Sequence, residues 1–373
     1  PVRRRSAPRT PVKPSCDPAL TLFRHRQQAA WYIALLVLAV GLPFLLGTFW
    51  LGEMTNVLIW AIAGMGLMVL VGQTGQASLG HAAFLAIGCY ANVLLQDPLG
   101  LPFILSFPLA GLIAGVAGML IAMPMSRLHG IYLGIGTRAL ATLTDDLIVT
   151  AEPITNGVVG LIPPTISLFG VDIDRYMTPD RFYWLVLVVA LAVILVYRNL
   201  LRTPLGRSFS AVRDSEVSAR AMGVNVARTK AVAFGVSTAI TGLAGALMGH
   251  FAGVFNNETF NLIISIQLLL MIVIGGLTGS AGAFFGAFVV ALLPQAIAIS
   301  RDIVGALLGG GTVAIPGLES AIFGVLLILF ILFEPMGIYG RWFKIRTYFE
   351  LFPFYRRDMF RRQKSYLKTE RMR

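Results

Sequence analysis

Charged residues are scarce in this chain, and acids are scarcer than bases: 13% of its 373 residues are charged, with 18 Asp and Glu against 30 Lys and Arg. Because 56% of the residues are hydrophobic and the mean hydropathy is +0.77, the apolar surface exceeds what a soluble core can hide. That excludes an ordinary water-soluble domain and leaves a polytopic membrane protein, an all-α bundle of transmembrane helices. Cysteine is nearly missing. Cys16 lies in a polar leader and Cys89 in an apolar run, which provides neither a disulfide framework nor a thiolate metal site, and no metal is expected. His81 and His250 have no paired Cys or close carboxylate in the sequence, so an integral membrane enzyme lacks a constellation to work with. No GxxxxGK[ST] occurs, so there is no phosphate-cradling loop, and any energy from ATP must come from another chain.

The net charge of +12 does not point to nucleic acid, because the basic residues are sorted by position rather than spread over one face. Seven lie in residues 1–30, seven between Arg198 and Lys230 and eleven after Pro335, leaving Arg127, Arg138, Arg175, Arg181 and Arg301 elsewhere. Such sorting is the positive-inside pattern. The tail RRDMFRRQKSYLKTERMR also suits contact with anionic membrane lipid.

A helix needs about 20 apolar residues to cross the hydrocarbon. On that ruler spans fall at Trp31–Trp50, Thr55–Val71, Ala82–Gln96, Pro102–Met125, Ile131–Thr150, Phe182–Tyr197, Ala231–Phe251, Leu262–Ile274, Phe284–Ile299 and Ser320–Phe333, about ten crossings. An even count puts the three basic clusters on one side, the cytoplasm. The expected organisation is a disordered basic cytoplasmic leader (1–30), a membrane domain (31–334) with an outer loop at 151–181 and a cytoplasmic loop at 201–230, and a basic cytoplasmic tail (335–373). Gly111 and Gly115, and Gly245, Gly249 and Gly253, repeat at the spacing that lets helix backbones approach in lipid.

Three segments carry polar chemistry. In GQTGQASLGHAAF, from Gly72 to Phe84, the residues Gln73, Thr74, Gly75, Gln76, Ser78 and His81 interrupt apolar sequence. Such backbone at membrane depth lines a water-filled path or is buried in protein, and a tight cytoplasmic turn reads equally well. The fifth span holds Arg138, Asp145 and Asp146, either on a transport path or in an internal ion pair. A secondary transporter or channel would use the same three residues for ion coupling. In the loop from Leu201 to Lys230, Asp214 or Ser215 can cap a short helix, Glu216 suits its first turn and Gly223 its end. The spacing puts Val217, Ala221 and Val224 on one side of about two turns, Asp214 to Met222, with Arg213, Asp214 and Arg220 on the other, a shape that fits a groove on a partner protein.

The stretches VGQTGQASLGHAAFLAIGCY from Val71, RLHGIYLGI from Arg127, RTPLGRSFSAVRDSEVSARAMGVNVARTKAVAFGVSTAITGLAGAL from Arg202 and LLLMIVIGGLTGSAGAFFGA from Leu268 resemble the LivM-type inner-membrane permeases of branched-chain amino acid ABC importers. The resemblance implies the fold of the cobalamin-importer (type II) permease and a location in the bacterial inner membrane. It implies a second, different permease, two ATP-binding subunits that carry the ATP and Mg, and a soluble binding protein; this chain itself would bind no cofactor. The cytoplasmic loop resembles the importer "EAA" signature, relaxed here to Glu216, Ala219 and Gly223, so that Arg213, Asp214, Ser215, Glu216, Ala219, Arg220 and Gly223 would couple to the ATPase. Thr155, Asn156 and Gly157 would meet the binding protein. Two departures stand out. Where the family usually has Thr-Leu-small-Phe-small-Glu, this chain has Thr137, Arg138, Ala139, Leu140, Ala141 and Thr142, and where it has Thr-Gly-Gly, this chain has Thr155, Asn156 and Gly157. An added arginine and a missing carboxylate put amides and organic acids beside branched-chain amino acids as expected substrates.

Overall fold

The computed structural model describes residues 26–307 other than 127–129, 169 and 278, together with 321, 324, 325, 328, 337–342 and 345. The leader up to residue 25, most of the span expected at Ser320–Phe333 and most of the basic tail lie outside the described residues.

The chain divides into two units, Pro1–Gly47 and Thr48–Arg373. The first contains α1 (Arg26–Leu45), apolar on every side, with Ile33, Leu35, Val37 and Leu38 all exposed. The expected first span ran on to Trp50, but α1 stops at Leu45 and Trp50 belongs to the next helix.

The second unit opens with α2 (Thr48–Thr74), α3 (His81–Gln96), α4 (Phe103–Met125) and α5 (Ile131–Thr150). A single helical turn, α6 (Glu152–Thr155), and a hairpin of β1 (Ile166–Leu168) and β2 (Val171–Ile173) follow. Next come α7 (Pro179–Arg202), α8 (Pro204–Asp214), α9 (Glu216–Ala221), α10 (Val226–Ala252), a 3-10 turn (Asn257–Phe260), α11 (Leu262–Gly275) and α12 (Ser280–Leu307). Six helices among the described residues are long and apolar enough to cross a membrane: α2, α4, α7, α10, α11 with its preceding turn, and α12. The 16 residues of α3 fall short of that length, and α5 carries three ionisable residues. Most helices outrun their hydrophobic limits. The segment expected at Phe182–Tyr197 extends over Pro179–Arg202, because hydropathy marks only the part matched to hydrocarbon while the helical hydrogen bonds continue into the polar flanks.

The centre of the bundle is α10, which packs against α2, α3 and α4. Its contacts are made through small residues. A Cβ at Gly245 would lie 2.0 Å from the Leu85 carbonyl oxygen, and one at Gly88 would lie 2.1 Å from that of Gly242, so α3 and α10 touch backbone to backbone. Gly111 and Gly115 of α4 make room for side chains of α10, those of Leu243 and Ala239. Gly253 acts differently: with φ at 79° it ends α10. Arg175 follows the hairpin and donates from Nη1 to the Phe251 carbonyl, its guanidinium 3.6 Å from the Phe251 ring centre. A cation thereby sits at the C-terminal end of α10, where the helix dipole favours it.

Candidate functional site

The loop at 201–230 is built as a folded arm. Thr203 caps α8, accepting from the Gly206 N–H, and Pro204 occupies the first helical position, where its missing N–H costs nothing. Ser215 has extended backbone and accepts from the Ser218 N–H to start α9. Gly223, at φ 85°, turns the chain so that the Val224 N–H reaches the Ala219 carbonyl at 3.0 Å. The short helix expected over Asp214–Met222 is α9, capped at Ser215, and a longer helix that was not expected, α8, precedes it and ends at Asp214. The apolar side also differs from expectation. Ala219 is the buried residue, packed with Val212 and Val226, whereas Val217 is 78% exposed and Met222 76% exposed. In so short a helix the small Ala219 can approach α8 and α10 closely, which turns Val217, Ala221 and Met222 outward. Two polar contacts tie the arm down. Lys230 Nζ, on α10 and buried, lies 2.6 Å from Glu216 Oε1, and Arg213 Nη1 donates to the Gly72 carbonyl at 3.0 Å. Arg213 also pairs with Asp214, and Asp214 and Arg220 are exposed.

The second polar region is the break between α2 and α3. After Thr74, Gly75 takes φ 70°, which a side chain rarely adopts, and the N–H groups of Gly75 and Gln76 return to the carbonyls of Val71 and Leu70. Gln73, Thr74, Gln76, Ser78 and His81 are all buried in protein; Gly75 is exposed. Gln73 Nε2 donates to the Tyr197 hydroxyl at 3.1 Å, and Gln76 Nε2 to Thr74 Oγ1 at 2.9 Å. The backbone N–H groups of Leu79 and Ala82 donate to Thr137 on α5 and Ser265 on α11. His81 lies at the centre, with Nδ1 3.0 Å from Ser78 Oγ and Nε2 2.9 Å from Ser237 Oγ. Ser237 spends its own proton on the Gly66 carbonyl at 2.6 Å, so His81 Nε2 carries the ring proton and Nδ1 accepts from Ser78. Six helices, α2, α3, α5, α7, α10 and α11, are thus joined by hydrogen bonds around this break.

On α5, Arg138, Asp145 and Asp146 are exposed. Among the described residues no ion pair joins Arg138 to either Asp, because seven residues of helix separate Arg138 from Asp145, a rise of about 10 Å. In the outer-loop region, Thr155 Oγ1 donates to the carbonyls of Ile148 and Ala151 and accepts from the Gly157 N–H. Asn156 Nδ2 donates to the Gly160 carbonyl, and Leu161 pairs with Phe255 as an isolated antiparallel bridge.

A profile of the family described as "Branched-chain amino acid transport system / permease component" matches residues 49–331. The high-affinity branched-chain amino acid transport system permease protein LivM of Escherichia coli (strain K12) is 35% identical over 299 residues, 74% of this chain and 69% of the relative. The chain belongs to this permease family. The LivH permease of the same E. coli strain is also similar, 26% identical over 164 residues, 44% of this chain and 48% of that one. Among solved structures, PsaBC from Streptococcus pneumoniae in complex with Fab matches with TM-score 0.40 and 15% identity, covering 81% of this chain and 96% of that chain. The comparisons support a transport permease and give no support to the ion-coupled alternative.

Seen as a member of this permease family, the chain explains one of its departures. Asn156 stands where Gly is usual, and its φ is 59°. Asn is the residue after Gly that best tolerates this left-handed conformation, so the exchange preserves the turn and says nothing about substrate. Thr155, Asn156 and Gly157 use their polar groups to hold that turn. Asn156 is itself exposed, and next to it lie apolar side chains that the sequence did not single out, Val158, Val159 and Ile162, 60%, 78% and 73% exposed. A run of branched apolar residues inside a loop was the available signal. Lys230 was also overlooked, since its place at the start of an apolar span reads as a topogenic charge.

Proposed function

We propose that this chain is a translocation subunit of an ATP-driven importer of branched-chain amino acids in a bacterial inner membrane, and that it performs no covalent chemistry. It pairs with a second, different permease. The greater identity and coverage toward LivM than toward LivH supports that division, since one organism holds both as separate permeases. Two ATP-binding subunits supply ATP and Mg, and a soluble binding protein delivers substrate to the outer face around Val158, Val159 and Ile162. Both termini and the arm face the cytoplasm, a reading that the sorting of basic residues supports.

The observation that carries this reading is the arm: a capped helix that holds Val217, Ala221 and Met222 outward on an otherwise polar surface. An apolar tip of this kind fits a groove on a partner, and a chain without a phosphate-binding loop needs an ATP-binding partner there. The exposed face of α5 supports the path. Ionisable groups are costly against lipid, so Arg138, Asp145 and Asp146 face water or the second permease. They line the route, while the buried break at Gln73–His81 holds together the helices behind it, and the two charge signs suit a zwitterionic amino acid better than an anion.

Coexpression with an ATP-binding subunit tests the arm. Val217→Asp combined with Met222→Glu is expected to cut copurification of that subunit at least tenfold while the chain still accumulates in membranes. Undiminished copurification would remove the arm from the docking surface.

A further inference from the structure

We infer that Glu216 does not meet the ATP-binding subunit but acts inward, its ion pair with Lys230 being the joint through which movement of α9 reaches α10. This inference rests on the importer reading above. Glu216 is the first residue of α9, partly exposed, and its Oε1 lies 2.6 Å from Lys230 Nζ, whose side chain is 5% exposed. A buried ammonium without its carboxylate is costly, so the pair stays closed while the two helices move as one body. The apolar contact between the two helices is small: Ala219 is the only buried side chain of α9 among the described residues, and it offers one methyl group to Val226 of α10 and Val212 of α8.

The connection continues inward. Seven residues beyond Lys230, two turns or about 10 Å along α10, Ser237 accepts from His81 and donates to the Gly66 carbonyl. A shift of α10 is therefore felt at the junction that begins α3. Arg213 reaches the same break from the other helix of the arm, through the Gly72 carbonyl and against Gly75, whose Cβ would lie 3.4 Å from Arg213 Cγ. The arm thus grips the α2–α3 break at two points, one direct and one through α10. Glu216 and Lys230 are positioning residues, and the exposed tip of α9 is what the partner touches.

The test uses the full complex, reconstituted in liposomes, with three readouts: retention of the ATP-binding subunit, ATP hydrolysis, and substrate uptake per ATP hydrolysed. Glu216→Gln and Lys230→Met should each retain the ATP-binding subunit yet lower uptake per ATP at least tenfold. The exchanged pair, Glu216→Lys with Lys230→Glu, should restore it to within about threefold of the original. A carboxylate that touched the partner directly would behave otherwise: Glu216→Gln would weaken retention, Lys230→Met would be harmless, and the exchanged pair would fail. That pattern overturns the joint. If a single variant does not accumulate, the exchanged pair decides, because a folded exchanged complex with uncoupled hydrolysis also overturns it. Failure of the unaltered chain to retain any ATP-binding subunit would overturn the importer reading, and the joint with it.

Discussion

Gly245→Leu is expected to lower the amount of folded permease in the membrane at least tenfold, whereas Gly52→Leu accumulates as the unaltered chain does. A Cβ at residue 245 would stand 2.0 Å from the Leu85 carbonyl oxygen, and the facing Gly88 would meet the Gly242 carbonyl at 2.1 Å, whereas nothing lies within 4 Å of a Cβ at Gly52. The atoms in the way are backbone, so no rotamer change relieves the collision, and α3 would have to move off α10. In water, apolar burial would hold a bundle together despite such a shift. In lipid the tails are as apolar as the side chains, and close backbone approach is what holds helices together. Because α10 packs on α2, α3 and α4 together, the displacement cannot stay local. Quantifying detergent-extracted, monodisperse protein for the two variants checks this, and equal yields would contradict the packing described.

His81→Leu is the second large effect expected. It deprives Ser237 of its donor and Ser78 of its acceptor at fully buried positions, and an unmatched buried polar group costs about 1–3 kcal/mol. The helices joined there lose their common junction, so uptake by the reconstituted complex should fall tenfold or more with the ATP-binding subunit still retained. Ser237→Ala should act in the same direction, since it removes both the acceptor for His81 and the donor to Gly66. Wild-type uptake from His81→Leu would show that the junction is packing alone.

Much of this was legible in the sequence, and the failures have physical causes. Apolar runs located the membrane helices because burial in hydrocarbon is a property of composition. Their ends were placed short because polar flanking residues keep the helical hydrogen bonds, as at both ends of α7. The stop at Gly223 and the cap at Ser215 were readable, since both act through local geometry. The orientation of α9 was not, because periodicity assigns an apolar side without saying which neighbour can come close, and the small Ala219 decided it. The polar stretch at Gly72–His81 was visible as an anomaly. Its partners, Tyr197, Ser237, Thr137 and Ser265, are distant in the chain, and only the fold brings them there. The hairpin at Ile166–Ile173 went unread for another reason: two strands of three residues are too short for an alternating pattern to show.

The most direct test of the account is uptake of a labelled branched-chain amino acid into liposomes that hold this chain, a second permease and two ATP-binding subunits, with ATP enclosed and the binding protein outside. Uptake that requires enclosed ATP and persists when ion gradients are collapsed is the predicted result. Uptake that proceeds without ATP and stops when an ion gradient is removed would contradict it.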